Sequence, residues 1–142
     1  MADTPYATAD DLTGHLETAE IVRLSNDTAG ATVVNAPVVA SAIAYATARV
    51  NEALAQGGYV VPVVVPTEYL KGLTVLLAIK ALYARKAGAK EPDLLKAEWA
   101  RVQNEMDAIG SRKRAVRDLP RLSGGVAVTS QPDRRWPSSG VV

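Results

Sequence analysis

Residues 67–88 read TEYLKGLTVLLAIKALYARKAG, and they predict one long helix with apolar side chains on nearly every side. A helix on the surface would show a wide polar stripe, but here the polar positions are few: Lys71, Lys80, Arg85 and Lys86. Lys71 and Lys80 lie inside the stretch, which argues against a membrane span. We therefore expect a buried helix at the centre of an all-α domain, packed on several sides.

The composition of the 142 residues indicates one modest folded domain. Hydrophobic residues make up 48%, but phenylalanine is absent and aromatic residues are only 5%. Alanine and valine bury little area each, so a stable isolated monomer is not guaranteed. The absence of cysteine excludes disulfides, thiolate metal sites and cysteine nucleophiles. The polar start MADTPYATADD is unlike a signal peptide, and we expect the chain in a cytosol-like compartment.

The net charge is only +1, but it is unevenly distributed. Residues 1–110 hold 9 Lys and Arg against 13 Asp and Glu, a balance of −4. Residues 111–142 hold 7 against 2, a balance of +5. A basic arm on a slightly acidic body suggests that the arm binds an acidic partner, either protein or nucleic acid. A solvated, disordered tail is an equally good interpretation of the same composition.

Local signals predict two short helices near the N-terminus. The first begins after Thr8 and has two aspartates in its first turn, and the second begins at Thr18. Residues 26–32 have the composition of a turn. Asp27 is their one carboxylate, which is too few for a calcium loop, so we expect an ordinary loop.

A longer helix is predicted to follow this loop. Asn35 and Pro37 supply a capping side chain and a proline in the first turn, and Gly57–Gly58 stop the helix near Gln56. Alternating spacings of four and three predict one apolar seam, made of Val39, Ile43, Ala46, Val50 and Ala53.

Two more segments complete the body. Residues 59–66 read YVVPVVVP, but Pro62 and Pro66 remove backbone donors, so we expect an extended connector instead of a central strand. The last helix opens at Glu91–Pro92 and closes at Gly110. Its predicted seam is Leu95, Trp99, Val102, Met106 and Ile109. The predicted fold is therefore an all-α bundle of two short and three longer helices, forming a domain of residues 1–110.

The arm, residues 111–142, is predicted to be extended, because its helical periodicity stops. Residues 126–130 alternate as a short strand does, and a lone strand is satisfied by adding to the sheet of another chain. Trp136 lies between Arg135 and Pro137 and is a candidate anchor for a protein pocket, or alternatively folds back onto the body. The candidate partner-binding residues are Arg112, Arg114, Arg117, Arg121, Val126, Val128, Arg134, Arg135 and Trp136.

Residues that carry catalytic or metal chemistry are scarce. His15 is the one histidine, so we interpret it as an ordinary surface or part-packed residue. Asp10 and Asp11 are explained by a helix N-terminus, and Glu98 and Glu105 by a solvated helix face. No P-loop, GxGxxG, GxSxG or HExxH pattern is present. We therefore predict a protein that is not an enzyme and needs no cofactor or metal.

Several pieces of the sequence, taken in order, resemble a known family. They are YATADDL from Tyr6, IVRLSND from Ile21, VNEAL from Val50, the proline-bearing connector into YLKGL at Tyr69, and SQPDRRW from Ser130. In this order and spacing the chain is similar to the Mu-like phage neck proteins, the head-to-tail connector (adaptor) family of tailed phages.

The resemblance implies a structural virion protein that is assembled in the bacterial cytoplasm. Such adaptors form a ring, commonly of twelve copies, beneath the portal protein. The ring extends the channel through which genomic DNA passes without sequence recognition, and it gives the tail, or a further neck or tail-completion protein, a docking surface. The C-terminal arm is implied to reach the portal. No membrane partner is implied.

Two alternatives stay open on the sequence. The basic residues 112–121 are also compatible with a small DNA-binding protein that contacts phosphates. A stopper or tail-completion protein, one ring further from the head, is the second alternative.

Overall fold

The computed structural model describes residues 4–86, 90–117 and 119–121. It confirms the predicted all-α bundle of two short and three longer helices. The helices are α1 (Ala9–Leu12), α2 (Thr18–Ser25), α3 (Ala36–Gln56), α4 (Glu68–Arg85) and α5 (Asp93–Gly110). No strand forms within the described ranges, and the only β pairing there is an isolated antiparallel bridge between Tyr59 and Arg121.

The centre of the bundle is α4, as predicted. Ten of its 18 residues are buried, and they occupy every side of the helix. The helices α1, α2, α3 and α5 all pack against it, and α3 packs most extensively. The buried hydroxyl of Thr74 donates to the Leu70 carbonyl oxygen (2.8 Å), so this polar group is satisfied inside the apolar core.

Two of the longer helices start with a side-chain cap, and the cap of α3 is the one that the sequence predicts. The Asn35 side chain accepts from the Val38 N–H (3.5 Å) at the start of α3. The Thr67 hydroxyl accepts from the Leu70 N–H (3.3 Å) at the start of α4. Such side chains satisfy backbone donors that have no partner inside the helix.

The predicted apolar seams of α3 and α5 form the rest of the core. All five predicted residues of each helix are buried. The Trp99 indole N–H donates to the Leu76 carbonyl oxygen (2.9 Å). The Trp99 and Tyr83 rings pack edge to face, with 5.8 Å between their centroids. The C-terminal ends of α3 and α5 meet at Gly57, where a Cβ would lie only 2.5 Å from the Ile109 carbonyl oxygen.

The connector between α3 and α4 forms no strand, as its prolines predict, but it bends at residues 61–62 and 64–65 instead of staying extended throughout. Tyr59 and Val63 are buried, and the Val63 N–H donates to the Tyr6 hydroxyl (2.8 Å). Val64 and Val65, by contrast, are exposed. The predicted strand at residues 126–130 lies outside the described residues, and the domain boundary after residue 110 stays a prediction.

Candidate partner-binding surface at the C-terminal segment

Residues 111–117 and 119–121, called here the C-terminal segment, lie against the end of the bundle where α3 meets α4. Val116 is buried, and its N–H donates to the Tyr59 hydroxyl (2.7 Å). The Val60 N–H donates to the Pro120 carbonyl oxygen (2.9 Å). One bond joins a backbone N–H to a side-chain hydroxyl and the other joins two backbone groups, so the first part of the predicted arm is attached to the helical body.

Tyr59 is the main contact between this segment and the body. Its hydroxyl oxygen also accepts from Arg121 Nη2 (2.9 Å), and the Arg121 guanidinium lies over its ring, 4.6 Å from the centroid. Burial raises the pKa of Tyr59, but the hydrogen bonds from Val116 and Arg121 outweigh it and leave this pKa below its ordinary value. The site therefore favours a hydroxyl oxygen that accepts hydrogen bonds.

Arg114 makes a second contact with the body. Its Nη2 lies 3.5 Å from the Glu105 carboxylate, and its guanidinium lies 5.2 Å from the centre of the Tyr69 ring. The Tyr69 hydroxyl donates to Glu105 (2.8 Å). Burial, together with this hydrogen bond, raises the pKa of Tyr69 to about 12. Arg101 also binds Glu105, so two arginines and a tyrosine share one carboxylate.

Arg112 turns the chain from α5 into the segment. Its φ of 64° lies in the left-handed region, which is uncommon for a residue with a side chain. Its guanidinium occupies space beside Gly58, where a Cβ would lie 2.9 Å from Nη2. Gly58, itself at φ 87°, therefore ends α3 and also leaves room for Arg112.

The structure describes four of the nine predicted partner-binding residues. Arg114 and Arg121 contact the body of the same chain, Arg112 lies beside Gly58, and Arg117 is exposed. The other five lie outside the described residues: Val126, Val128, Arg134, Arg135 and Trp136. That these nine residues bind a partner stays a prediction.

Three body residues of this surface were not recognised in the sequence: Tyr59, Tyr69 and Glu105. Glu105 was interpreted as part of a solvated face, which is wrong, because its side chain is only 15% exposed. Glu98, its neighbour one heptad away, does lie at the surface and pairs with Arg101 (3.0 Å). The one available signal was that Tyr69 is an aromatic residue in the first turn of α4. It comes close to the basic run of residues 112–121 only after the chain folds.

The opposite end of α4 holds a second ionic cluster. The Tyr83 hydroxyl donates to Glu20 (2.8 Å), which also binds Arg23, and burial with this bond raises the pKa of Tyr83 to about 12. In the loop before α3, Asp27 accepts from Arg85 (2.9 Å) and Lys86 (2.8 Å). These bonds lower the pKa of Asp27 to about 2. The loop thus binds cations of its own chain.

The remaining chemistry of the described residues is sparse. His15 is exposed, in agreement with its interpretation as a surface residue. Among residues 4–86, 90–117 and 119–121, no group of three or more His, Cys, Asp or Glu side chains is arranged to hold a metal ion. None of the helices in these ranges is both long and apolar enough to cross a membrane.

The fold and the surface define a class: small all-α proteins with a basic C-terminal arm attached at one end of the bundle. Comparison with protein families gives a closer identification. The model of the family described as Bacteriophage Mu, Gp36 matches residues 6–131, most of the chain. The chain therefore belongs to this family and is a Mu-like phage protein. The comparison with curated protein sequences gave no match.

Proposed function

We propose that this protein is a head-to-tail connector (adaptor) of a tailed phage. Copies form a ring under the portal protein, extend the DNA channel and provide the docking surface for the next neck or tail-completion protein. The observation that carries this proposal is membership of a phage family over residues 6–131, a range that includes both the helical body and much of the arm. The protein is then a component of the virion neck, with no catalytic role.

The attachment of the C-terminal segment supports the portal-binding part of the proposal. Val116, Pro120 and Arg121 are tied to Tyr59 and Val60, so the chain is held at a defined point of the body as far as residue 121. An arm whose first residues are held in this way loses less conformational entropy on binding a partner than one that is free from residue 111 onward. We assign portal binding to this arm, with Trp136 as its anchor.

The alternative function is DNA binding through the basic residues 112–121. Two of its arginines, Arg114 and Arg121, already bind groups of the body. Phosphate binding would compete with these contacts, whereas protein binding by residues beyond 121 leaves them intact. This observation favours the connector over the DNA-binding protein. A stopper or tail-completion role in the same neck is the remaining alternative.

The first experiment measures the mass of the purified chain in solution, alone and mixed with the portal protein or with duplex DNA. We expect large rings with the portal and no stable complex with DNA. A chain that ignores the portal and binds DNA with an affinity that falls steeply with salt concentration would overturn the proposal.

The arm is tested with Trp136→Ala and a matched control, Trp136→Phe. We expect the alanine variant to weaken portal binding by about tenfold or more, because interface tryptophans often contribute a large share of the binding energy. The phenylalanine variant, which retains a large aromatic ring, should lose less. Circular dichroism should show unchanged helix content in both. Unchanged portal binding by Trp136→Ala would remove this residue from the docking site.

A further inference from the structure

A small apolar knob projects from the connector between α3 and α4. It consists of Val64 and Val65, which are 92% and 77% exposed. The residue before it is held, since Val63 is buried and its N–H donates to the Tyr6 hydroxyl. Pro66 follows it and restricts the backbone on the other side. The valine knob is therefore an apolar surface presented by a restrained backbone.

The same chain has an open apolar groove between α3 and α4. The groove has a volume of about 450 Å³, and its lining includes Leu77, Ala81 and Ala84 of α4 and Tyr45 of α3. Tyr45 is 52% exposed although it is large and aromatic. Within the described residues, the groove thus leaves apolar surface in contact with water.

The basic side chains at the groove already contact groups of their own chain, so the groove does not require an acidic occupant. Arg85 binds Asp27 (2.9 Å) and Arg49 donates to the Tyr45 hydroxyl (3.0 Å). Lys80 lies 4.7 Å from the centre of the Trp99 ring and 3.7 Å from Glu91. A neutral apolar occupant leaves all of these contacts intact. Residues 59–66 carry no charge and therefore match this requirement.

The knob cannot fill the groove of its own chain. It precedes the N-terminus of α4, whereas the groove is lined by residues near the other end of that helix. At about 1.5 Å per residue, Ala81 lies roughly 20 Å along the helix axis from Glu68. A second copy of this chain carries the same uncharged knob and is not subject to this distance.

We propose that Val64 and Val65 of one copy insert into the α3–α4 groove of the next copy. When the insertion runs in one direction from copy to copy, the contact is head-to-tail, and it forms a ring where the rotation between neighbouring copies closes. This inference deepens the proposed function and rests on it, because it identifies the contact between neighbouring subunits of the connector ring.

The test uses the absence of cysteine in the chain. Two single-cysteine proteins, Val64→Cys and Ala84→Cys, are mixed, assembled on the portal protein and treated with a short bismaleimide. We expect the mixture to give cross-linked dimers. A mixture of Val33→Cys and Ala84→Cys is the control, since Val33 is also exposed (69%) but lies in another loop, and it should give few.

The outcomes separate this inference from the proposed function. Rings that form but give no bond between positions 64 and 84, or that link position 64 to position 64, overturn the knob-and-groove contact and leave the connector function standing. Failure of the cysteine-free chain to assemble on the portal overturns both.

A second measurement uses the double variant Val64→Asp and Val65→Asp, with Val33→Asp as its matched control. Charged residues in an apolar groove are costly to bury, so we expect the concentration needed for half-assembly to rise by about tenfold or more. The control should change it by less than about twofold. Equal assembly by both variants would overturn the inference, provided that circular dichroism shows both to be folded.

Discussion

Each end of α4 carries a tyrosine whose hydroxyl donates to a glutamate that also binds an arginine. The two sets are Tyr83, Glu20 and Arg23 at the C-terminal end, and Tyr69, Glu105 and Arg114 at the N-terminal end. Both hydroxyl-to-carboxylate distances are 2.8 Å. At the C-terminal end the glutamate and arginine lie on one helix, α2. At the N-terminal end the arginine comes from the C-terminal segment, so similar chemistry attaches that segment to the bundle.

The two tyrosines also differ in burial. Tyr83 is 3% exposed and packs edge to face on Trp99, whereas Tyr69 is half-buried. The C-terminal end of α4 is thus held mainly by the apolar contact between Tyr83 and Trp99, and the bonds with Glu20 and Arg23 add to it. At the N-terminal end, polar contacts carry a larger share of the attachment, so this end is expected to open more easily.

The largest expected effect comes from truncating these rings. Tyr83→Ala should lower the free energy of unfolding by about 3–5 kcal/mol, because it leaves a cavity beside Trp99. Tyr69→Ala should lower it by only about 1–2 kcal/mol, because its ring is half-buried. Urea unfolding, monitored by circular dichroism, measures the free energy of unfolding of both variants.

The exposed Tyr45 provides the control for these truncations. Tyr45→Ala should change the stability of the isolated chain by about 0.5 kcal/mol or less. Equal losses from Tyr83→Ala and Tyr69→Ala would contradict the difference between the two ends of α4.

A smaller effect is expected from removing single hydroxyl groups. Tyr59→Phe retains the ring but leaves the buried Val116 N–H without its acceptor, at a cost of about 1–3 kcal/mol. The C-terminal segment should then exchange its amide hydrogens faster and be cleaved by trypsin sooner at Arg117.

Tyr83→Phe is the matched variant at the other end of α4. It should cost about 1 kcal/mol, the usual value for a single hydrogen bond, and leave trypsin cleavage at Arg117 unchanged. If both variants accelerate that cleavage equally, Tyr59 does not specifically hold the segment.

The smallest expected effect is a difference between the pKa values of three tyrosines. Tyr69 and Tyr83 should ionise near pH 12, because burial and then the hydrogen bond to a carboxylate raise each pKa, whereas Tyr59 accepts hydrogen bonds and has a pKa below its ordinary value. A raised tyrosine pKa stabilises the folded chain below the unfolded value of 10.0, and this contribution is lost as the pH rises through about 12. Tyrosinate absorbance, with each tyrosine in turn replaced by phenylalanine, measures the three values. A common pKa for all three would show that the hydrogen bonds do not have these directions.

Most of the bundle could be predicted because its signals are local. The apolar seams of α3 and α5 follow the helical period, and Asn35 caps α3 through a bond to a residue three positions ahead. The buried centre of α4 followed from its many apolar positions. Each of these features depends on neighbours in sequence, which can be inferred without the fold.

The attachment of the C-terminal segment could not be predicted for the opposite reason. Tyr59 lies in a valine-rich run, and the groups that bind its hydroxyl come from Val116 and Arg121, about sixty residues later. Glu105 looked solvated because its helix places it outside the apolar seam, but Tyr69 and Arg114, which come from other elements, contact it. Such burial arises from long-range contacts that leave no periodic signal.

The bridge between Tyr59 and Arg121 has a mechanical consequence. A pulling force applied to the chain beyond Arg121 reaches Tyr59 and Val60 before it reaches the end of α5. From there it passes into α3, because the Tyr59 N–H donates to the Leu54 carbonyl oxygen (2.9 Å). A load on the arm is therefore transmitted to the middle of the chain, and the C-terminal turn of α5 is protected from being peeled away.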